Sequence, residues 1–208
     1  LSVAFRQALA FAVNWSCPVT VVPAFVISEL KTAFNPDRTE AEYLASIRGK
    51  TASLTAAACR IGALTAGLPT AAVEGLTVFG DRFGMVFQVV DDILDLVASD
   101  EQLGKPSGND LVEGVYTLPV LRALAEAGSG GDLRALLGSP LDEAMRDKAR
   151  DLVRSSGGVA AAAEVARGYA EEAGAAIAGL PGSDVVTGLA ALPHRLIDDA
   201  LALARIGL

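Results

Sequence analysis

Gly84-Met85-Val86-Phe87-Gln88-Val89-Val90-Asp91-Asp92-Ile93-Leu94-Asp95 is the stretch on which the fold of this chain turns. At about 100° per residue on a helix, Gly84, Gln88, Asp91, Asp92 and Asp95 share one arc of about 100°. Everything else on these turns is apolar, from Phe83 to Val97. A helix apolar over most of its circumference is buried, not laid on a surface. A solvated acidic face, the usual fate of a charge run, would show polar residues over about half its circumference. Carboxylates gathered on a buried helix repel one another and lose hydration, a cost that a bound cation offsets. Oxygen ligands at this spacing favour hard ions, Mg2+ above all. Gly84, one turn back, leaves room above the carboxylates.

The same helical pattern extends in both directions. Ala and Leu, both good helix formers, dominate, and no run alternates with period two. Helices are expected at Val3–Val13, Thr20–Ala33, Glu40–Ala66, Ala71–Ser99, Thr117–Ala127, Leu133–Leu137, Leu141–Ser155, Val159–Ala178 and Val185–Ala204. Asn35-Pro36-Asp37 and Gly67-Leu68-Pro69 separate helices, and Thr39 with Glu42 forms a capping-box pattern. Ser129-Gly130-Gly131, Ser156-Gly157-Gly158 and Pro181-Gly182-Ser183 read as turns. In the segment from Gly157 to Gly179, Val159, Val165, Tyr169 and Ile177 supply an apolar stripe among small residues. No linker or fixed-period repeat divides the chain, so one all-α unit over residues 1–208 is expected.

Two further elements bear on chemistry. Gly104-Lys105-Pro106-Ser107-Gly108-Asn109-Asp110 is a glycine-rich loop whose amides and Lys105 could hold phosphate oxygens; alone, an ordinary surface turn is the more frequent explanation. Lys50 is the one charge between Gly49 and Cys59. A lone Lys in a small apolar segment has an anionic partner, either a ligand or a structural carboxylate.

Composition bounds the function. The 208 residues carry 17 Lys and Arg against 25 Asp and Glu, a net charge of −8, which disfavours binding a nucleic-acid backbone. A hydrophobic share of 51% excludes global disorder. Cys17 and Cys59 lie outside any C-x-x-C pair, so zinc and redox motifs are absent and a reducing compartment is implied. His194, the sole histidine, builds no multi-His metal site and is read as structural or surface. The uncharged run from Gln7 to Ile27 is long enough to span a membrane, but Asn14 to Pro18 and Pro23 interrupt it. Two core helices explain it better, with no transmembrane segment and no signal peptide, and the protein is expected to be cytoplasmic.

Together these residues resemble a known family. Phe87-Gln88-x-x-Asp91-Asp92-x-x-Asp95, then Gly104-Lys105-Pro106-x-Gly108-x-Asp110 and Glu113-Gly114-x-x-Thr117-Leu118-Pro119, is similar to the second aspartate-rich region of trans-polyprenyl diphosphate synthases. This family includes the farnesyl and geranylgeranyl diphosphate synthases. Glu42-Tyr43-Leu44-x-x-Ile47-x-x-Lys50-Thr51-Ala52 resembles the segment that precedes it there. The agreement in order and spacing runs from Glu29 to Leu121. The resemblance implies an isoprenoid-synthase-like helical bundle around a central cavity. It also implies Mg2+-dependent joining of an allylic diphosphate to isopentenyl diphosphate, and a homodimer. By position, Asp91 and Asp95 would ligate Mg2+, with Asp92 close by or through water. Lys50 and Lys105 would contact the allylic diphosphate, and Thr51 and Gln88 would lie near the developing cation.

Three departures stand beside the match. The family's first DDxxD and its Arg pair are absent, and residue 1 is Leu, so the chain is expected to be the C-terminal two-thirds of a synthase and inactive alone. Val115 stands where the family carries Lys. The end, from Asp198, is acidic where family chains often have a basic tail. The alternatives are a noncatalytic partner subunit and a class I terpene cyclase; the cyclase is disfavoured because its second motif mixes Asn, Ser or Thr with Glu.

Overall fold

The computed structural model describes residues 32–103 and 106–206, all helix, turn or loop, with no strand among them. The expected helix Val3–Val13, Cys17 and Lys105 lie outside these residues, as does all of Thr20–Ala33 except Thr32 and Ala33, which stand in a turn.

The described chain starts on a hook. Phe34, at φ 58°, donates its N–H to the Gly114 carbonyl at 2.8 Å. The first helix, α1 (Glu40–Ile47), opens with the expected capping box, Thr39 and Glu42 each satisfying the other's backbone N–H. It runs without a break into a π-helical turn, Arg48–Ala52, and then α2 (Ser53–Thr65). The expected single helix Glu40–Ala66 is therefore correct in extent but widened in its middle. In the wide turn the Ser53 N–H reaches back to the Arg48 carbonyl. Hydroxyls cover neighbouring carbonyls: Ser53 Oγ donates to Gly49 O at 2.8 Å and Thr55 Oγ1 to Ala52 O at 2.9 Å. Such turns are uncommon and often sit at functional sites; this one carries Lys50 and Thr51.

Gly67, at φ 69°, closes α2: its N–H meets Leu64 O and the Leu68 N–H meets Ala63 O. The chain then enters α3 (Thr70–Val97), the axis of the molecule. Met85, Val86, Val89, Ile93 and Leu96 on α3 are buried, as its apolar circumference requires. Burial is incomplete on one strip, where Phe87 is 48% exposed and Asp91 is open to solvent. The expectation of a helix buried on all sides thus holds for most of α3, not for the strip that carries Asp91.

Gly84 does not leave room above the carboxylates. A Cβ there would stand 2.5 Å from the Ala52 Cα and closer still to Thr55 Oγ1. Its missing side chain lets the π turn pack directly onto α3. Gly80 serves the same contact one turn earlier, beside Ala56.

Beyond α3 come two short helices that periodicity did not reveal, α4 (Asp100–Leu103) and α5 (Asn109–Val112). Then follow α6 (Leu118–Leu124), α7 (Ser129–Leu136), α8 (Glu143–Ser155), α9 (Gly158–Ile177) and α10 (Asp184–Ile206). Ser129-Gly130-Gly131 is no turn but the first turn of α7; a Cβ on Gly130 would stand 2.5 Å from the Leu124 carbonyl oxygen. Close packing of α6 against α7 requires glycine there, and it mimics a turn signal. On α9 the fully buried stripe is Ala162, Ala166, Ala170, Ala173 and Ile177; Val159, Val165 and Tyr169 are only partly buried. Small residues on that face let α9 lie close along α3, where a Cβ on Gly75 would meet the Ala176 carbonyl oxygen at 2.6 Å. His194 is exposed, as expected. No described helix is long and apolar enough to cross a membrane.

Candidate functional site

The C-terminal third of α3, the π turn and the segment after α5 enclose a polar cleft of about 140 Å³. Its walls include Tyr43, Ile47, Lys50, Gln88, Asp91, Asp92, Asp110, Glu113, Val115 and Thr117. Residues 38 or more positions apart in the sequence, such as Lys50 and Gln88, meet because Gly80 and Gly84 seat the π turn against α3. A larger hollow of about 520 Å³ lies at the other end of α3, between Leu68, Leu76, Leu180 and Leu189. No charged side chain lines it, so the polar cleft is the place for chemistry.

A chain of hydrogen bonds crosses the cleft floor. Thr51 Oγ1 donates to Gln88 Oε1 at 2.7 Å. Gln88 Nε2 donates to Asp92 Oδ1 at 3.0 Å. The buried Tyr43 hydroxyl donates to Asp92 Oδ2 at 2.5 Å. Both Asp92 oxygens are thereby engaged, and Asp92 is only 4% exposed. Burial, reinforced by the charges of Asp110 and Asp91, pushes its carboxyl up to about 8 against the pull of these hydrogen bonds. Burial, followed by the neighbouring Asp92 charge, likewise holds the Tyr43 hydroxyl well above the usual phenol range.

The expected residues divide. Lys50, Gln88, Asp91 and Asp92 line the cleft, and Thr51 joins it through Gln88. Asp95 does not line it. One turn beyond Asp91, Asp95 is buried beneath the loop, its Oδ2 accepting the Asp110 N–H at 3.3 Å and its carbonyl the Gly108 N–H at 2.7 Å. Gly108, at φ 71°, makes the turn that brings these amides onto it. The loop base is also tied to Asp100, whose Oδ1 accepts from both the N–H and the hydroxyl of Ser107. Tyr43, Asp110, Glu113 and Thr117 are site residues that carried no role in the sequence reading. Tyr43 had a signal: it precedes Lys50 by two helical turns and so shares its face.

Among the described residues no three His, Cys, Asp or Glu side chains close into a metal cage. Asp91, Asp92 and Asp95 thus form no three-carboxylate cluster, because the loop holds Asp95 and Tyr43 with Gln88 holds Asp92. The donor set nevertheless suits Mg2+. That ion is ordinarily held by one or two carboxylates together with substrate phosphates and water, not by an all-protein cage. Four carboxyl groups, those of Asp91, Asp92, Asp110 and Glu113, line the cleft together with the ammonium of Lys50. An anion entering alone would be repelled; an anion entering with a cation would not.

An all-helical scaffold with a Lys-Thr pair facing an aspartate-bearing helix across one cleft defines a helical isoprenoid-synthase fold. The polyprenyl synthetase family model matches residues 27–154, and the chain belongs to that family. It is 41% identical over 163 residues to nonaprenyl diphosphate synthase of Mycobacterium tuberculosis, covering 77% of this chain and 48% of that protein. It is 50% identical over 100 residues to heptaprenyl diphosphate synthase component 2 of Geobacillus stearothermophilus, covering 48% of this chain and 31% of that protein. Among solved structures it resembles the polyprenyl synthase of Caulobacter crescentus complexed with calcium and isoprenyl diphosphate. There the TM-score is 0.81 at 33% identity, over 95% of this chain and 58% of the other. The chain spans between about a third and a half of the length of these curated relatives.

Proposed function

We propose that the full-length synthase of which this chain is part joins an allylic diphosphate to isopentenyl diphosphate in a Mg2+-dependent reaction, giving a longer trans-polyprenyl diphosphate, and that the 208 residues alone do not. The observation that carries this reading is the single cleft in which Lys50 and Thr51 face Gln88, Asp91 and Asp92. The Caulobacter relative, complexed with a divalent cation and an isoprenyl diphosphate, supports it.

Asp91, the exposed carboxylate at the cleft mouth, would hold Mg2+, with Asp92 beside it and Asp95 shaping the loop behind. When bound, the ion offsets charge on the leaving diphosphate. Lys50 and Lys105 contact that diphosphate through charge-assisted hydrogen bonds. The allylic C–O bond breaks and the electron pair leaves with the diphosphate. The double bond of isopentenyl diphosphate forms the new C–C bond, and loss of a proton restores a double bond. Thr51 donates to Gln88, so the lone pairs of its hydroxyl oxygen remain available to the developing allylic cation. A cytoplasmic homodimer completes this reading. The Geobacillus relative's name, component 2, favours a heteromeric synthase as the second reading of assembly.

Labelled isopentenyl diphosphate supplied with an allylic diphosphate and Mg2+ to the full-length synthase, the parent for the variants below, tests the proposal. Label should appear in an extended prenyl diphosphate, and Asp91→Ala should lower the rate by orders of magnitude. Absence of extension by the parent, or a near-parent rate for Asp91→Ala, would sink it.

A further inference from the structure

Asp92 sits between two donors whose functions differ. Gln88 Nε2 belongs to the cleft; the Tyr43 hydroxyl belongs to α1 and is buried, its ring 1% exposed. Gln88 turns its amino end to Asp92 Oδ1 at 3.0 Å, and that bond sets which end of the amide faces Asp92. Reversed, the amide would set its oxygen against Asp92 and its amino group against Thr51, so that the Thr51 hydroxyl would accept instead of donate. With the amino end on Asp92, the carbonyl end receives the Thr51 hydroxyl proton at 2.7 Å. Donation therefore converges on Asp92, from Tyr43 on one side and from Thr51 through Gln88 on the other, and leaves the Thr51 oxygen lone pairs as the outer end of the chain. Tyr43 itself is pinned from behind, with the Arg38 guanidinium 5.6 Å from its ring centre and Arg38 Nη1 donating to Tyr116 O at 3.2 Å.

We propose that Tyr43 is a positioning residue for prenyl transfer: by holding Asp92 Oδ2 it fixes the Gln88 amide and hence the polarity of the Thr51–Gln88 pair. The proposal rests on the prenyltransferase reading and assigns Asp92 chiefly to orientation, leaving metal binding to Asp91. Outer residues that orient the groups in contact with substrate typically change activity by about ten- to a hundredfold when removed.

The test uses Tyr43→Phe, which keeps the buried ring and removes the hydroxyl, alongside Gln88→Ala, the double variant and Asp91→Asn. Three readouts apply. In Tyr43→Phe, kcat should fall by about ten- to a hundredfold with KM for the allylic diphosphate within about twofold. The double variant should be no slower than Gln88→Ala alone, since the hydroxyl acts only through that amide. Mn2+ affinity, read by electron paramagnetic resonance, should be unchanged in Tyr43→Phe and weakened in Asp91→Asn. Additive losses in the double variant, or a Mn2+ affinity that falls in Tyr43→Phe as it does in Asp91→Asn, would overturn the proposal. The side-chain amide protons of Gln88, followed by NMR, decide the same point without turnover. They should exchange slowly in the parent and at least about tenfold faster in Tyr43→Phe; equal exchange would overturn the proposal. A parent that transfers no prenyl group contradicts the prenyltransferase reading instead, and the NMR readout still decides whether Tyr43 holds Gln88.

Discussion

Val115 lines the cleft, at the position where the resemblance to the family implies Lys. Its neighbours there include Asp110 and Glu113, so the local charge is left to a cation to balance. An ammonium at this half-buried position is worth about 1 kcal/mol, or roughly fivefold in affinity. Val115→Lys should accordingly lower KM for the allylic diphosphate by about fivefold at fixed Mg2+; steady-state kinetics showing an unchanged or raised KM would refute this role. At this scale the motif spacing made Lys50, Gln88, Asp91 and Asp92 legible. The part played by Tyr43 was not legible, because its partner Asp92 lies 49 positions away and only the packing of α1 on α3 joins them. Nor could the helical arc show that Asp95 would be taken by the loop: its ties come from backbone amides of Gly108 and Asp110.

Among the elements, the π turn and α3 depend on each other. Any side chain at Gly84 would collide with the backbone of Ala52, which cannot yield as a flexible side chain would. Gly84→Ala gains helix propensity of about 1 kcal/mol but overpacks the contact by about 1–3 kcal/mol. The expected result is a lower melting temperature together with loss of the Thr51–Gln88 bond; a more stable variant would show that the π turn can shift. The long helices were legible because each has caps and an apolar face, as at Thr39 and Gly67. The four-residue helices α4 and α5 were not, since one turn shows no periodicity and both are held by loop contacts such as Asp100 to Ser107. Glycine also misled where it serves packing: Gly84 reads as empty space and Gly130 as a turn, yet both are points of close helix approach.

For the whole molecule, the net charge of −8 and the acidic cleft predict that stability and ligand binding depend on cations. Metal-free, the folded Asp92 carboxyl titrates at about 8, above the ordinary unfolded value of about 3.9. The folded state therefore holds a proton that the unfolded state releases. This contribution is fully present below about pH 4 and is lost as pH rises through about 8. The melting temperature of metal-free protein should fall between about pH 5 and pH 9, and Asp92→Asn should flatten that slope. Added Mg2+ should raise the melting temperature more at the upper end of this range; a metal-free curve independent of pH would contradict the buried, crowded carboxyl.

Calorimetry of an unreactive allylic diphosphate analogue shows whether the acidic cleft accepts a polyanion through a cation. With Mg2+ the analogue should bind, and with chelator in place of Mg2+ its affinity should fall by about a hundredfold or more, equivalent to at least about 2.7 kcal/mol. Equal affinity with and without Mg2+ would contradict a cleft in which Asp91 and its neighbours meet the diphosphate through a cation.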